Sequence, residues 1–261
     1  MTSDGSEPLG SGEPIGRSAS ELPADPRLLR LDYCHEQTDW NETYDPLEWW
    51  HVRVGLVHDS RAAEAACTAA DRSDVGHLRF CRVRDSGRHD MWRVARAPQV
   101  LGSVADAILD EKSGEFTDPF QQALSWPVGD LLVVDHVALD ECWRGFGLRS
   151  ILLAEALGVL ASGCCAVLSI SGMSASGGLR AEPLGQPCAA CVDPREDVVN
   201  EHWAGAAFRP FRADVWFADP GLREFETCRQ RRVADLLDLS HAFGEQVRRD
   251  ETQTRDPSRV K

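Results

Sequence analysis

Asp130-Leu131-Leu132-Val133-Val134-Asp135-His136-Val137-Ala138-Leu139 is followed by Asp140-Glu141-Cys142-Trp143 and then by the turn Arg144-Gly145-Phe146-Gly147-Leu148. The apolar run entering this turn carries β-branched residues along its length, which suits a central strand buried on both faces. The stretch that leaves the turn, residues 148–160, is longer than a usual strand and rich in Leu and Ala. Gly163 stands as a stop just past its end, so it reads as helix. A second short apolar run, Ala166-Val167-Leu168-Ser169-Ile170, follows as a strand. A helical crossover makes the two strands parallel neighbours with a right-handed connection.

The glycine turn then lies at the carboxyl end of a strand and the amino end of a helix. The first turn of a helix presents unpaired N–H groups and the positive end of the helix dipole. Glycines at 145 and 147 remove the Cβ atoms that would hold a ligand away from those donors, so a phosphate or pyrophosphate is the expected guest. A P-loop needs Gly-Lys followed by Ser or Thr, and here Gly147 is followed by Leu148 and Arg149, which excludes it. A dinucleotide fingerprint would need a third glycine where Ser150 stands and a carboxylate after the second strand, where residues 169–174 offer none.

Residues 137–153, with Arg144, Gly147 and the long apolar helix behind them, resemble the acetyl-CoA-binding motif of the GNAT superfamily of N-acetyltransferases. That motif runs Arg or Gln, two residues, Gly, one residue, then Gly or Ala, directly after a strand and opening a helix. Arg144 and Gly147 match it, and Arg149 stands where the last small residue would be. A looser likeness lies downstream. The family's helix-to-strand junction usually reads Tyr, three residues, Gly-Phe; here Trp203 holds the tyrosine's place and Ala207-Phe208 that of Gly-Phe.

The resemblance implies an α/β fold, a GNAT-like mixed twisted sheet with flanking helices whose central strands are parallel and splayed. It also implies an activity, acyl transfer from acetyl-CoA as cosubstrate to the amine of a small molecule or a protein. The pyrophosphate would lie on the N–H groups of Arg144, Gly145, Phe146, Gly147 and Leu148, with Arg149 beside it. Backbone groups at Val137 and Leu139 would pair with the pantetheine arm like an added strand. Asp135 is the candidate base, nine residues before Arg144, where the arylalkylamine N-acetyltransferases carry a histidine on the same strand. Strand alternation gives it the face of Val137 and Leu139 and turns His136 to the other face, as a core histidine. Desolvation of a carboxylate inside an apolar strand would raise its pKa toward a useful value. The family's general acid, a tyrosine, is replaced by Trp203, and the only tyrosines are Tyr33 and Tyr44. Two alternatives stay open: Asp135 as a structural hydrogen-bond acceptor, and the whole chain as a degenerate relative that binds acyl-CoA as a sensor or interaction module.

The chain has 261 residues, enough for one large domain or one domain with long tails. Its 28 basic and 42 acidic residues leave a formal net charge of −14, which argues against nucleic acid or an anionic membrane as partner through bulk charge. No apolar stretch has the length of a membrane span, and the first sixteen residues have neither a basic start nor an apolar core, so no signal peptide is expected. Nine cysteines is an odd number, and Cys67, Cys81, Cys164 and Cys165 fall in apolar surroundings as reduced core thiols would. Cys188-Ala189-Ala190-Cys191 is a lone CxxC without a second pair, which reads as a loop and not as a metal site. A reducing, cytoplasmic compartment is the expectation.

Along the chain, residues 1–26 are rich in Ser, Gly, Pro and Glu and are expected to be disordered. A GNAT-like domain is expected over 27–220, an amphipathic helix over 221–248 and a charged, frayed tail over 249–261. Within the domain, strands are expected over 47–57 and 76–84, a third strand near 91–95, a helix over 98–110 and a late strand over 213–218. Residues 59–74 read as a short helix or an insertion, and 171–193 as a long irregular one. The resemblance implies helices between the first and second strands, an order that this pattern does not follow.

Overall fold

Period-two and fully apolar runs of this kind build a single sheet. The computed structural model describes residues 17–36, 47–57, 74–84, 99–170 and 206–254. Its strands are β1 (Leu29–Glu36), β2 (Leu47–Leu56), β3 (Asp74–Val83), β4 (Asp130–Leu139), β5 (Cys164–Ile170), β6 (Arg209–Arg212) and β7 (Val215–Ala218), in the order β1-β2-β3-β4-β5-β7-β6. The helices among the described residues are α1 (Gln99–Ile108), α2 (Asp118–Ala123), α3 (Leu148–Leu160) and α4 (Arg223–Thr254). Every neighbouring pair is antiparallel except β4 and β5, which α3 connects in parallel. The chain is therefore α/β with a mixed sheet.

Helices cover both faces, so the sheet has two cores. On one face Leu132, Val134, Val137 and Leu139 of β4 pack with Leu148, Ile151, Leu152 and Leu157 of α3. On the other, Leu131 and Val133 pack with Leu101, Val104 and Ile108 of α1 and with Phe120 of α2. α3 is buried nearly all round, because α4 lies over its outer side through Phe225, Leu236, Leu239 and Phe243. Arg82 of β3 secures the far end of α3, where its Nη2 donates to Leu160 O at 2.6 Å and to Ser162 O at 2.7 Å, a cationic group on the last helical carbonyls. The stop at Gly163 holds, with φ at +79°.

Several expectations are corrected. Residues 17–26 are ordered: Ser18 and Glu21 form a capping box around a short 3-10 turn, and Leu22 and Pro26 are buried. The composition of the segment is polar, but the buried Leu22 and a hydrogen bond from Ser240 Oγ of α4 to Asp25 Oδ1 (2.6 Å) tie it to the body. β1 was not expected, since it is an edge strand whose charged residues mask its alternation. α2 was not expected either, being shorter than the window that shows a helical period. α4 continues through residues 249–254, which were expected to belong to the frayed tail. Among the described residues, α1 and α2 follow β3, in the order that the sequence pattern indicated. The expectations for 1–16, 59–73, 91–95, 171–193, the CxxC and Trp203 lie outside the described residues. Among the described residues no helix is long and apolar enough to cross a membrane, and Cys81, Cys164 and Cys165 form no disulfide.

Gly76 marks the tightest backbone approach beside the site. A Cβ there would overlap Ala138 O and sit 2.7 Å from Leu139 Cδ2, inside the β3–β4 ladder. Gly76→Ala is expected to cost about 2 kcal/mol, as overpacking does. A urea-unfolding midpoint equal to that of the unaltered protein would show that the strand end yields freely.

Candidate functional site

The central feature is a parting of the two parallel strands. β4 and β5 pair only from Asp130↔Cys164 to Val133↔Leu168. Along its other edge β5 pairs with β7 from Val167↔Ala218 to Ile170↔Val215, two residues beyond its last pairing with β4. β4 stays paired on its other side with β3 as far as Gly76↔Leu139. Between residues 134 and 139 the β5-facing edge of β4 therefore has no strand partner among the described residues. An unpartnered strand edge in the middle of a sheet is unusual, because buried backbone N–H and C=O groups require partners. It is the kind of edge to which an extended ligand adds.

A β-bulge lies beside the parting. The β3–β4 register runs Phe80↔Val134 and then Arg79↔His136, so Asp135 is the extra residue. This shifts the alternation. Leu131 and Val133 belong to the α1 side and Leu132 and Val134 to the α3 side, but beyond the bulge Val137 and Leu139 also belong to the α3 side. The expectation that Asp135 shares a face with Val137 and Leu139 is therefore overturned. Asp135 Oδ2 lies 2.5 Å from Arg79 Nε, and the Arg79 guanidinium sits 4.7 Å above the Trp49 ring, on the other face of the sheet. His136 is corrected as well: it stacks on His77 at 4.9 Å and 29°, beside Asp135 and not opposite it. No signal in one strand alone reveals a bulge, since it is defined by the partner.

Electrostatics follow from this crowding. Burial pushes the Asp135 carboxyl above its ordinary range, against the opposing charge and hydrogen bond of Arg79 and the charge of His51. His136 is held down to about 4, by burial first and then by the charges of His77, Arg79 and Arg149. His77 is lowered too, by burial and the charge of His51. At neutral pH both stacked imidazoles are uncharged.

The glycine turn closes the far end of the unpartnered edge. Trp143 and Phe146 are buried anchors, and Arg144 Nε donates to Leu139 O at 2.6 Å, tying the turn to the strand end. Gly145 (φ +86°) and Gly147 (φ +73°) both adopt the left-handed conformation that favours glycine. Gly147 is the N-cap of α3 and supplies no side-chain acceptor for the first-turn N–H groups. Among the described residues, a Cβ built on it meets nothing within 4 Å. Ser150 Oγ donates back to Gly147 O at 2.9 Å and braces the turn. Arg149, in the first turn of α3, lies close enough to His136 to depress its pKa.

Arg17 was missed by sequence reasoning, because it lies more than a hundred residues away in a polar leader. Its N–H donates to Gly145 O at 3.1 Å, its Nη1 donates to Glu141 O at 3.2 Å, and its guanidinium lies 5.1 Å above the Phe146 ring. The Gly145 carbonyl is thus held toward the leader, on the side away from the next amide.

Asp135, Val137 and Leu139 thus lie along one unpartnered edge, and Arg144, Gly145, Phe146, Gly147, Leu148 and Arg149 at its end. Three polar side-chain atoms next to the parting are buried without a hydrogen-bond partner: Asp135 Oδ1, His136 Nδ1 and Ser169 Oγ. Buried polar groups are nearly always satisfied, so this cluster of exceptions is a candidate place for a polar ligand. Among the described residues no group of three or more His, Cys, Asp or Glu side chains is placed to hold a metal ion. Comparison with known protein families, with curated proteins and with solved structures finds no match to this chain.

Proposed function

We propose that this chain is an acyl-CoA-dependent N-acyltransferase of the GNAT kind, with acetyl-CoA as the acyl donor and an amine as acceptor. The single observation that carries the reading is the parting of β4 and β5 directly before a glycine turn that opens α3. The unpartnered edge supports it as a rail for an amide-bearing arm, and the N–H groups at Gly147 and Leu148 support it as a seat for a pyrophosphate.

In this reading the amides of residues 145–148 and the Arg149 guanidinium hold the pyrophosphate, while the Arg144 amide donates to Glu141 O at 3.2 Å. Backbone groups at Val137 and Leu139 align the arm. The acceptor nitrogen attacks the thioester carbonyl and the carbon–sulfur bond breaks, and most of the acceleration comes from holding the two groups together. The amine must first lose a proton, and Asp135, through its unpartnered Oδ1 and raised pKa, is the proposed acceptor. With His77 and His136 held toward their uncharged forms, a cationic amine near Asp135 meets less repulsion than two imidazolium ions would exert.

A second reading, binding without turnover, is favoured by the Arg79–Asp135 ion pair, which already engages one carboxylate oxygen. Release of free coenzyme A in the presence of amines separates the two.

Acetyl-CoA and coenzyme A are expected to raise the melting temperature and NAD to leave it unchanged. A ligand at a hundred times its Kd contributes about 2.7 kcal/mol, or roughly 5–10 °C for a chain of this size. No shift with either coenzyme A species would sink the reading, and a shift with NAD alone would replace it with a nicotinamide-binding one.

A further inference from the structure

Ser169 is fully buried, and among the described residues its Oγ has no hydrogen-bond partner. Its neighbours on β5, Cys165, Ala166, Val167 and Leu168, are all apolar. Burying a hydroxyl without a partner is unfavourable in the free protein, and a methyl group or a thiol would fill the place better. The hydroxyl therefore needs a reason outside the fold.

Its position supplies one. Ser169 is the residue after Leu168, the last on β5 to pair with β4, and so it stands at the apex of the wedge between the strands. Alternation along β5 puts it on the face of Val167, the α3 side. Asp135, whose Oδ1 is equally unpartnered and whose side chain is 2 % exposed, stands at the same apex on the opposite face. Two orphaned polar groups thus bracket one point. From Leu139 back to Val134 a strand covers roughly 17 Å at about 3.3 Å per residue, so an extended arm anchored at the glycine turn brings its far end to this apex.

We propose that Ser169 is a ligand-contacting residue whose hydroxyl donates a hydrogen bond to the thioester end of the acyl-CoA arm. This rests on the acyltransferase reading and deepens it. As the new carbon–nitrogen bond forms and the carbon–sulfur bond breaks, the electron pair goes to sulfur. Ser169 Oγ–H stabilises that charge and keeps its own proton. The thiolate takes its proton from solvent, and the proton lost by the amine leaves by way of Asp135. The role left vacant by a tyrosine is filled by a hydrogen bond, not by proton transfer, since a thiolate is far too weak a base to ionise a hydroxyl.

The test is Ser169→Ala with Ser169→Cys beside it, each assayed for melting temperature without ligand and for acetyl-CoA affinity. Ser169→Ala is expected to leave the unliganded melting temperature unchanged or raised while acetyl-CoA affinity falls about fivefold, the loss of one hydrogen bond. Ser169→Cys, a weaker donor of similar shape, is expected to fall between. These opposite signs separate a ligand contact from a structural one. A lowered melting temperature with unchanged affinity would make Ser169 a structural group and overturn the proposal, as would unchanged affinity at unchanged stability. If the unaltered protein binds neither acetyl-CoA nor coenzyme A, the acyltransferase reading falls and this assignment falls with it. If it binds and Ser169→Ala binds equally well, only this assignment falls.

Discussion

Gly147→Val is expected to abolish coenzyme A binding while leaving the protein folded. The residue sits at φ +73°, where a side chain is strained, and caps α3 with no side chain of its own. Among the described residues no atom lies within 4 Å of a Cβ at this position, so none of them resists the change. Strain alone is expected to cost about 1–2 kcal/mol of stability. On the acyltransferase reading the effect on binding is larger, because an isopropyl group adds bulk at the N-cap of α3, beside the first-turn N–H groups. Losing even two charge-assisted hydrogen bonds amounts to about 3 kcal/mol, or roughly a hundredfold in Kd. Gly147→Ala carries the strain without the bulk and is expected to fall between. Titration calorimetry with coenzyme A decides the matter: equal affinity in Gly147→Val and the unaltered protein would remove the turn from the site.

Arg79→Met is expected to be the most destabilising single change near the site. Asp135 is 2 % exposed and Arg79 is its charge partner. Removing one member of a buried pair leaves an uncompensated charge, which costs about 3–5 kcal/mol. The double variant Arg79→Met with Asp135→Asn is expected to regain most of the loss, since no buried charge is then left behind. The deficit should also depend on pH. The Asp135 carboxyl is raised in the folded state, so the folded protein keeps a proton that the unfolded chain gives up, and stability falls as pH rises through that window. Without Arg79 the rise is larger, so the deficit is smallest in acid and grows toward neutral pH. His136 acts in the same direction. Its folded value of about 4 lies below the ordinary 6.5, so acidification destabilises the unaltered protein, and losing the Arg79 charge relieves part of that depression. Denaturant unfolding at pH 5 and pH 8 measures the difference. A deficit that is equal at both, or larger in acid, would show that Asp135 is not the buried charge responsible.

These two residues differ in how visible they are beforehand. Gly147 is legible because it is punctuation between an apolar run and a helical one, and both patterns are local. Arg79 is one charged residue in a strand that alternates only loosely. Nothing within that strand shows that its partner is the bulged residue of the next one.

The same division runs through the whole molecule. Strand, glycine turn, helix and parallel strand over residues 130–170 follow from the sequence alone, because hydrophobic period, helix propensity and glycine stops act over a few residues. So do the glycine turn at a helix amino end and the helical character of residues 223–247. The tertiary structure decided the rest. A bulge is set by register against a second strand, and it moved Asp135 and His136 onto one face with Arg79 and His77. β5 runs on past its last pairing with β4 while β7, which begins at Val215, holds its other edge as far as Ile170. Arg17 reaches Gly145 because Leu22 and Pro26 are buried in the body of the fold, and Ser169 Oγ lacks a partner among the described residues because the groups the fold brings around it offer none. Each of these depends on groups far apart in the chain, where short-range pattern carries no information.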